Sequence, residues 1–353
     1  MKKIILSIMK DYRKFNKAFL AVAVLGIGFF VSCGNPGPEE QVYVGEALGT
    51  SYHIKLFGPE NLNIQKGLDS IFVVINNSMS TYQSDSDISK INSGDTSIRV
   101  DENFRKVFNF SEKIYRESKG YFDPTVGNLV NAYGFGPGSQ SDGLTRVKID
   151  SMLQYVGFDK VNLSAENKIL KQQPEIYLDF NAIAKGYTVD VIALFLDNKG
   201  VQDYLIEVGG ELVAKGLNKA KDQPWIVAIE DPMQTEESRT FQTALALKDR
   251  AMATSGNYRK FRVDSLSGQR FVHTINPITG LSEKSNLLSA SVLAENCAVA
   301  DAYATAFMAL GLEKSKEMLD RLENVDVYFI YAEENDEVKV FTSEGFEKVL
   351  VKE

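Results

Sequence analysis

The chain opens on a basic, polar stretch and then turns almost wholly apolar from Ala18 to Val31. That run has the length of a signal-peptide core and is too short for a comfortable membrane span. Beyond residue 41 the pattern breaks into short alternating and helical-period stretches. Val42–Gly45 and Ser51–Leu56 alternate as strands on either side of Leu48-Gly49-Thr50. Between Asn61 and Met79, Ile64, Leu68, Ile71, Phe72 and Ile75 recur at helical spacing. Asn103–Ser118 predicts a second helix, ended by Gly120. Asp150–Tyr155 predicts a short helix capped by Asp150, and Lys160–Leu163 a strand.

Further on, Glu175–Leu178 predicts a strand that runs through Asp179-Phe180-Asn181-Ala182-Ile183-Ala184-Lys185-Gly186 into a helix from Tyr187. Tyr204–Val208 and Trp225–Ile229 predict strands, and Asn296–Leu310 an Ala-rich helix closed by Gly311. Val325–Tyr331 and Val338–Thr342 predict a terminal strand pair. Strands and helices mix without strict alternation, which predicts an α+β fold with a mixed sheet and packed helices. No internal repeat or internal linker divides residues 42–353, which are therefore expected to form one domain.

Composition is that of a globular protein, 44% hydrophobic and 24% charged over 353 residues. The charge is unevenly spread. Lys2, Lys3, Lys10, Arg13, Lys14 and Lys17 face only Asp11 in the first 32 residues, while the whole chain carries a formal charge of −8. The remainder is thus strongly acidic, which argues against nucleic-acid binding. Phe30-Val31-Ser32-Cys33 after the apolar run resembles a bacterial lipobox, with Cys33 as the lipidated residue. Residues 1–32 then form a lipoprotein signal peptide and residues 33–41 a flexible tether, rich in Gly and Pro. The expected location is a bacterial membrane, by a lipid anchor facing the periplasm, inner rather than outer. The other cysteine, Cys297, sits among Ala and Val and suits a buried position.

Several segments carry candidate chemistry. Asp179 at a strand end, small residues, and Lys185-Gly186 at a helix mouth suit a phosphate and its counter-ion, because helix N-termini and lysines attract anions. Asp301 and Thr305 are four apart on one predicted helix and so share a face. They offer two hard oxygen donors, suited to Mg²⁺ or Ca²⁺ rather than zinc. The loop Gly120–Gly127, with Tyr121, Phe122, Asp123 and Pro124, exposes backbone beside aromatics, and Tyr82 is a candidate for stacking on a planar ring. Of two histidines, His53 lies on an alternating strand. His273 precedes the turn-rich Thr274-Ile275-Asn276-Pro277 and is the candidate general base. No Walker loop, dinucleotide-binding glycine fingerprint, HExxH or GxSxG motif is present.

Taken in order, these blocks resemble the ApbE family of FAD:protein FMN transferases. They include L-G-T-S-Y at Leu48–Tyr52, M-S-T-Y at Met79–Tyr82, F-D-P-T-V-G at Phe122–Gly127 and G-F-G-P at Gly134–Pro137. D-F-N-A-I-A-K-G-Y at Asp179–Tyr187, G-G-E-L at Gly209–Leu212 and T-S-G-N-Y at Thr254–Tyr258 follow. H-T-I-N-P-I-T-G at His273–Gly280 and A-D-A-Y-A-T-A at Ala300–Ala306 complete the set.

The resemblance implies a site in a cleft between two lobes. It implies an enzyme that moves the FMN half of FAD to a Thr or Ser hydroxyl of an acceptor protein, releasing AMP. It also implies Mg²⁺, or Ca²⁺, on Asp301, Thr305 and the Ala182 carbonyl. Leu48, Tyr82, Tyr121, Phe122, Asp123, Asp179, Lys185, Thr274 and Ile275 would contact FAD, and His273 would be the base. The implied acceptor is a flavin-carrying subunit of a membrane redox complex. Two positions depart from the family's pattern: Leu48 stands where Met is usual, and Asn276 where Asp is usual.

Overall fold

The computed structural model describes residues 39–59, 62–138, 144–234, 240–256, 261–263, 270–272, 274–282, 285–335 and 337–352. Cys33, the leader over residues 1–32 and His273 lie outside the described residues. Strands β1 (Glu40–Ala47) and β2 (Thr50–Phe57) form the first hairpin. Helices α1 (Gln65–Met79), α2 (Asp87–Asn92), α3 (Glu102–Glu117), α4 (Gly127–Ala132) and α5 (Arg146–Leu153) follow. A small hairpin, β3 (Val161–Leu163) and β4 (Ile169–Lys171), precedes α6 (Ala184–Asn198). Next come β5 (Asp203–Val208), β6 (Glu211–Lys215), the pair β7 (Trp225–Glu230) and β8 (Phe241–Leu247), and β9 (Arg250–Gly256). The pair β10 (Phe261–Val263) and β11 (Arg270–Val272) leads to β12 (Leu287–Ala294). Helices α7 (Cys297–Leu310) and α8 (Leu312–Leu319), strands β13 (Asp326–Ala332) and β14 (Val338–Thr342), and α9 (Glu344–Glu347) end the chain.

The fold is α+β. Eight strands pair in the order β1-β2-β5-β6-β9-β12-β13-β14. Where the sequence suggested a mixed sheet, every neighbouring pair in this one is antiparallel. The reason is local. Tight turns join β1 to β2 and β5 to β6, and the longer helical excursions return to strands that run opposite to the ones they left. Gly209 and Gly210, both at positive φ, make the β5–β6 turn and set Val208 opposite Glu211.

Alternation assigns the two faces of the sheet. Tyr52, Ile54 and Leu56 of β2 and Tyr204, Ile206 and Val208 of β5 bury against Leu68 and Phe72 of α1 and Val189, Ile192 and Leu196 of α6. Further along the same side, α3 and α7 pack on the segment Ile176–Ile183, with Phe104 edge-on to Phe180 at 5.1 Å. The opposite face is covered by the β7–β8 hairpin and α9, through Trp225, Ile229, Leu245 and Phe346 against Leu212, Met252 and Tyr328.

Four sequence expectations are corrected. Glu175–Leu178 forms no ladder strand, only an isolated parallel bridge from Tyr177 to Val126. Its apolar side chains instead plug the helical core. Helix α6 starts at Ala184, before Tyr187, because the Phe180 carbonyl accepts the Ile183 and Ala184 N–H groups. Helix α5 is capped by the Thr145 side chain rather than Asp150, which lies inside it and pairs with Arg146. Strand β1 already begins at Glu40, inside the stretch read as tether.

Helix α7 carries no side-chain cap of its own; its N-terminus is capped from another helix. Both carboxylate oxygens of Asp190 on α6 are used, Oδ1 accepting from Cys297 N at 2.8 Å and Oδ2 from Ala298 N at 2.9 Å. Asp190→Ala is expected to lower stability by about 2 kcal/mol, since it strips a charged cap from a buried helix end. Urea unfolding of the two proteins measures this.

Candidate active site

The first turns of α6 and α7 meet at Gly186. A Cβ on Gly186 would lie 2.4 Å from the Cys297 carbonyl oxygen and 2.8 Å from the Asp301 Cβ. Only glycine permits this approach. It lets the Gly186 N–H donate to Asp301 Oδ2 at 3.1 Å. In a regular helix that N–H would go to the carbonyl four residues back, on Ala182. Among the described residues no N–H pairs with the Ala182 carbonyl.

Asp301 is almost fully buried, 2% exposed, in an otherwise apolar helix. Lys185 Nζ lies 3.8 Å from its Oδ2, too far for a hydrogen bond. Among the described residues Oδ1 has no donor. Thr305, one turn on, shares a long hydrogen bond of 3.5 Å with Ser255 Oγ, in which either hydroxyl can donate. Asp301, Thr305 and the Ala182 carbonyl thus present oxygen atoms with spare acceptor capacity, the donor set of a hard divalent cation. Asp301 and a second buried carboxylate, Glu211, share the single Lys185 ammonium, so negative charge is left over and a cation fits the site.

Lys185 pairs at 2.7 Å with Glu211 Oε1, a residue for which the sequence suggested no role. Glu211 is buried, and its Oε2 has no hydrogen-bond partner among the described residues. Burial would lower the Lys185 ammonium, but Asp301 and Glu211 outweigh it and hold the lysine charged. Burial pushes the Glu211 carboxyl up, against the pull of Lys185. An acid directly after Gly-Gly, at the head of an apolar strand, was the signal that could have marked it.

Of the other candidates, Tyr82 and the loop that carries Phe122 and Asp123 gather around Asp179. Its N–H donates to the Pro124 carbonyl at 2.8 Å, which ties this segment to the Phe122–Gly127 loop. Its Oδ1 accepts from Asn181 N at 2.7 Å, and burial raises its carboxyl. Asn181 reaches Thr81, next to Tyr82. The Tyr82 ring is 62% exposed, while its hydroxyl donates to the Phe135 carbonyl at 3.2 Å. Burial, and then the Asp179 charge, raise that phenol. Tyr82 and Asp179 are therefore neighbours, with the ring free to stack.

Asp123 is locked into its own loop, its Oδ1 accepting from Thr125 N at 2.8 Å and Thr125 Oγ1 at 2.6 Å. The Phe122 side chain is in the core, so it offers the site only backbone. Tyr121 takes a hydrogen bond from Lys314 at 2.6 Å and lies under its ammonium. Leu48 sits in the β1–β2 turn at φ +54°, an uncommon conformation for a branched side chain, and packs on both helical core clusters. Ile275 is buried against Leu129, Tyr133 and Ile149, and Thr274 is half-buried beside it. Asn276 Oδ1 accepts from Ile278 N and Thr279 N, so this position caps its own turn, a task that either Asn or Asp performs.

Burial raises the Asp123 carboxyl to about 6. In the unfolded chain it titrates near its ordinary value of 3.8, so between these values the folded form alone binds the proton. The stability this adds is complete below about pH 4 and is lost as the pH rises through about 6. Relative to Asp123→Asn, the natural chain should gain on the order of 2 kcal/mol on going from about pH 7 to about pH 4. Urea titrations of both proteins at the two pH values check the sign.

Three comparisons bear on this geometry. The family model of the ApbE family matches residues 48–329. An FAD:protein FMN transferase of Haemophilus influenzae is 33% identical over 317 residues, covering 86% of this chain and 90% of that protein. One of Escherichia coli K12 is 32% identical over 353 residues, covering 95% and 99%. The solved flavin transferase ApbE of Vibrio cholerae superposes with a TM-score of 0.79 at 31% identity, over 89% of this chain and all of that one. The apo form of the Pseudomonas stutzeri flavinyl transferase ApbE gives 0.78 at 26% identity, over 89% and 97%.

Proposed function

The chain belongs to the ApbE family, and we propose on that footing that it is an FAD:protein FMN transferase. In this reading FAD is the substrate and a Thr or Ser hydroxyl of an acceptor protein is the nucleophile. The hydroxyl oxygen bonds to the FMN phosphorus, the pyrophosphate bond breaks, AMP leaves, and a phosphoester remains on the acceptor. The observation that carries this is the meeting of Lys185, Glu211 and Asp301 beside the Ala182 carbonyl, which no N–H among the described residues pairs with.

The residues divide the work by their chemistry. Lys185 presents a fixed positive charge for the phosphates. Tyr82 offers an exposed ring for the flavin or adenine, and Asp179 a buried acceptor beside it. Asp301, Thr305 and the Ala182 carbonyl would hold Mg²⁺, or Ca²⁺. A divalent ion there supplies charge stabilisation for a pyrophosphate. His273 is assigned the acceptance of the hydroxyl proton, on its sequence position alone.

The Lys-rich start, the apolar run and the lipobox support anchoring through a lipid on Cys33. The protein would then face the periplasm from a bacterial membrane, the inner one in preference. The acceptor would be a subunit of a membrane redox complex. Chromatography of AMP tests the reaction. AMP should accumulate in step with added acceptor, in the presence of FAD and Mg²⁺. AMP release that is independent of acceptor would identify an FAD hydrolase, and FAD binding with no turnover a flavin-binding lipoprotein.

A further inference from the structure

Glu211 stands at the head of β6, directly after the two-glycine turn, and this fixes its backbone. Its side chain crosses to α6 and takes Lys185 Nζ at 2.7 Å, while Asp301 Oδ2 is left 3.8 Å from the same nitrogen. The lysine therefore sits between two buried carboxylates and is hydrogen-bonded to only one. Without Glu211, nothing among the described residues would hold the ammonium back. It would close the remaining gap and neutralise Asp301 directly, because an ion pair in a buried site is favoured over a free buried charge. A lysine on Asp301 and a divalent cation on Asp301 exclude each other by charge and by space.

We propose that Glu211 is a positioning residue that holds Lys185 off Asp301 and so keeps the Asp301 carboxylate open to a divalent cation. This rests on the reading of Asp301 as a cation ligand. Glu211 serves as the counter-charge: with it, two carboxylates face one ammonium and the cluster keeps a negative charge that attracts a cation, and without it Lys185 and Asp301 cancel. Its Oε2, without a partner among the described residues, fits this role, since the carboxylate is held there by the need to pair with Lys185 rather than by a full set of hydrogen bonds.

The test is calorimetric titration of MgCl₂ into the full chain without FAD, with urea midpoints to confirm folding. Glu211→Gln should weaken Mg²⁺ binding by about tenfold or more. Adding Lys185→Met to that variant should restore it to within about threefold of the natural chain. Lys185→Met alone should bind Mg²⁺ at least as tightly as the natural chain, and this arm stands even if Glu211→Gln does not fold. Unchanged affinity in Glu211→Gln overturns the proposal, as does weakened binding that Lys185→Met fails to restore. So does weaker binding by Lys185→Met alone. Absence of Mg²⁺ binding by the natural chain overturns the cation reading itself, and the proposal with it.

Discussion

Asp301→Ala is expected to lower flavin transfer by about a thousandfold or more while leaving the fold intact. The estimate follows from the chemistry the site must perform. Attack on a pyrophosphate needs its charge offset, and loss of a cation ligand forfeits several kcal/mol of that stabilisation. Asp301 is the one carboxylate in the proposed ligand set, and it is buried with Oδ1 free of donors among the described residues. Removing it leaves Lys185 paired with Glu211 at 2.7 Å, so no buried charge is orphaned, and the loss of the Gly186 N–H acceptor should cost only about 1–3 kcal/mol of stability. Single-turnover transfer assays, with FAD binding followed by fluorescence, separate the two effects. Retained FAD binding with lost transfer is the expected outcome. Full activity in Asp301→Ala would remove the cation from the account.

The second large effect is structural. Gly186→Ala should destabilise the chain by roughly 2–4 kcal/mol, because the added methyl meets backbone and a helix-borne Cβ rather than a mobile side-chain tip. The clash forces α6 and α7 apart at the point where the Gly186 N–H holds Asp301 Oδ2. Transfer should therefore fall even below the melting transition. A thermal unfolding scan and a transfer assay at low temperature measure both. Natural stability in this variant would mean that the two helices do not meet as closely as described.

How much of this was legible in the sequence varies residue by residue, for physical reasons. Alternation in β2 and β5 and helical spacing in α1 and α3 were legible, because those elements bury one face and leave the other polar or partly exposed, whereas α7, buried nearly all round, was legible through its run of alanines. Glu175–Leu178 misled for the same reason: its apolar residues are buried, but as an irregular plug with no strand beside it to complete a ladder. Strands β9 and β12 were not singled out, since both lie inside the sheet: β12 is buried along nearly its whole length and β9 buries Ala251, Met252 and Ala253 in succession, which erases the period-two signal.

At the site, Asp301 and Thr305 could be paired by their spacing, because they share a helix. The Lys185–Glu211 pair could not, since its partners are 26 residues apart and meet only through the β5–β6 turn. The free Ala182 carbonyl was visible only through resemblance. Its cause, a Gly186 N–H diverted to Asp301, belongs to the meeting of two helices.

The most direct measurement is mass spectrometry of a flavin-accepting redox subunit after incubation with the protein, FAD and Mg²⁺. One FMN joined through phosphate to a Thr or Ser of the acceptor is expected, with an equal amount of AMP released and neither product formed by Asp301→Ala. An acceptor that stays unmodified while FAD is bound, or is split by water, would contradict it.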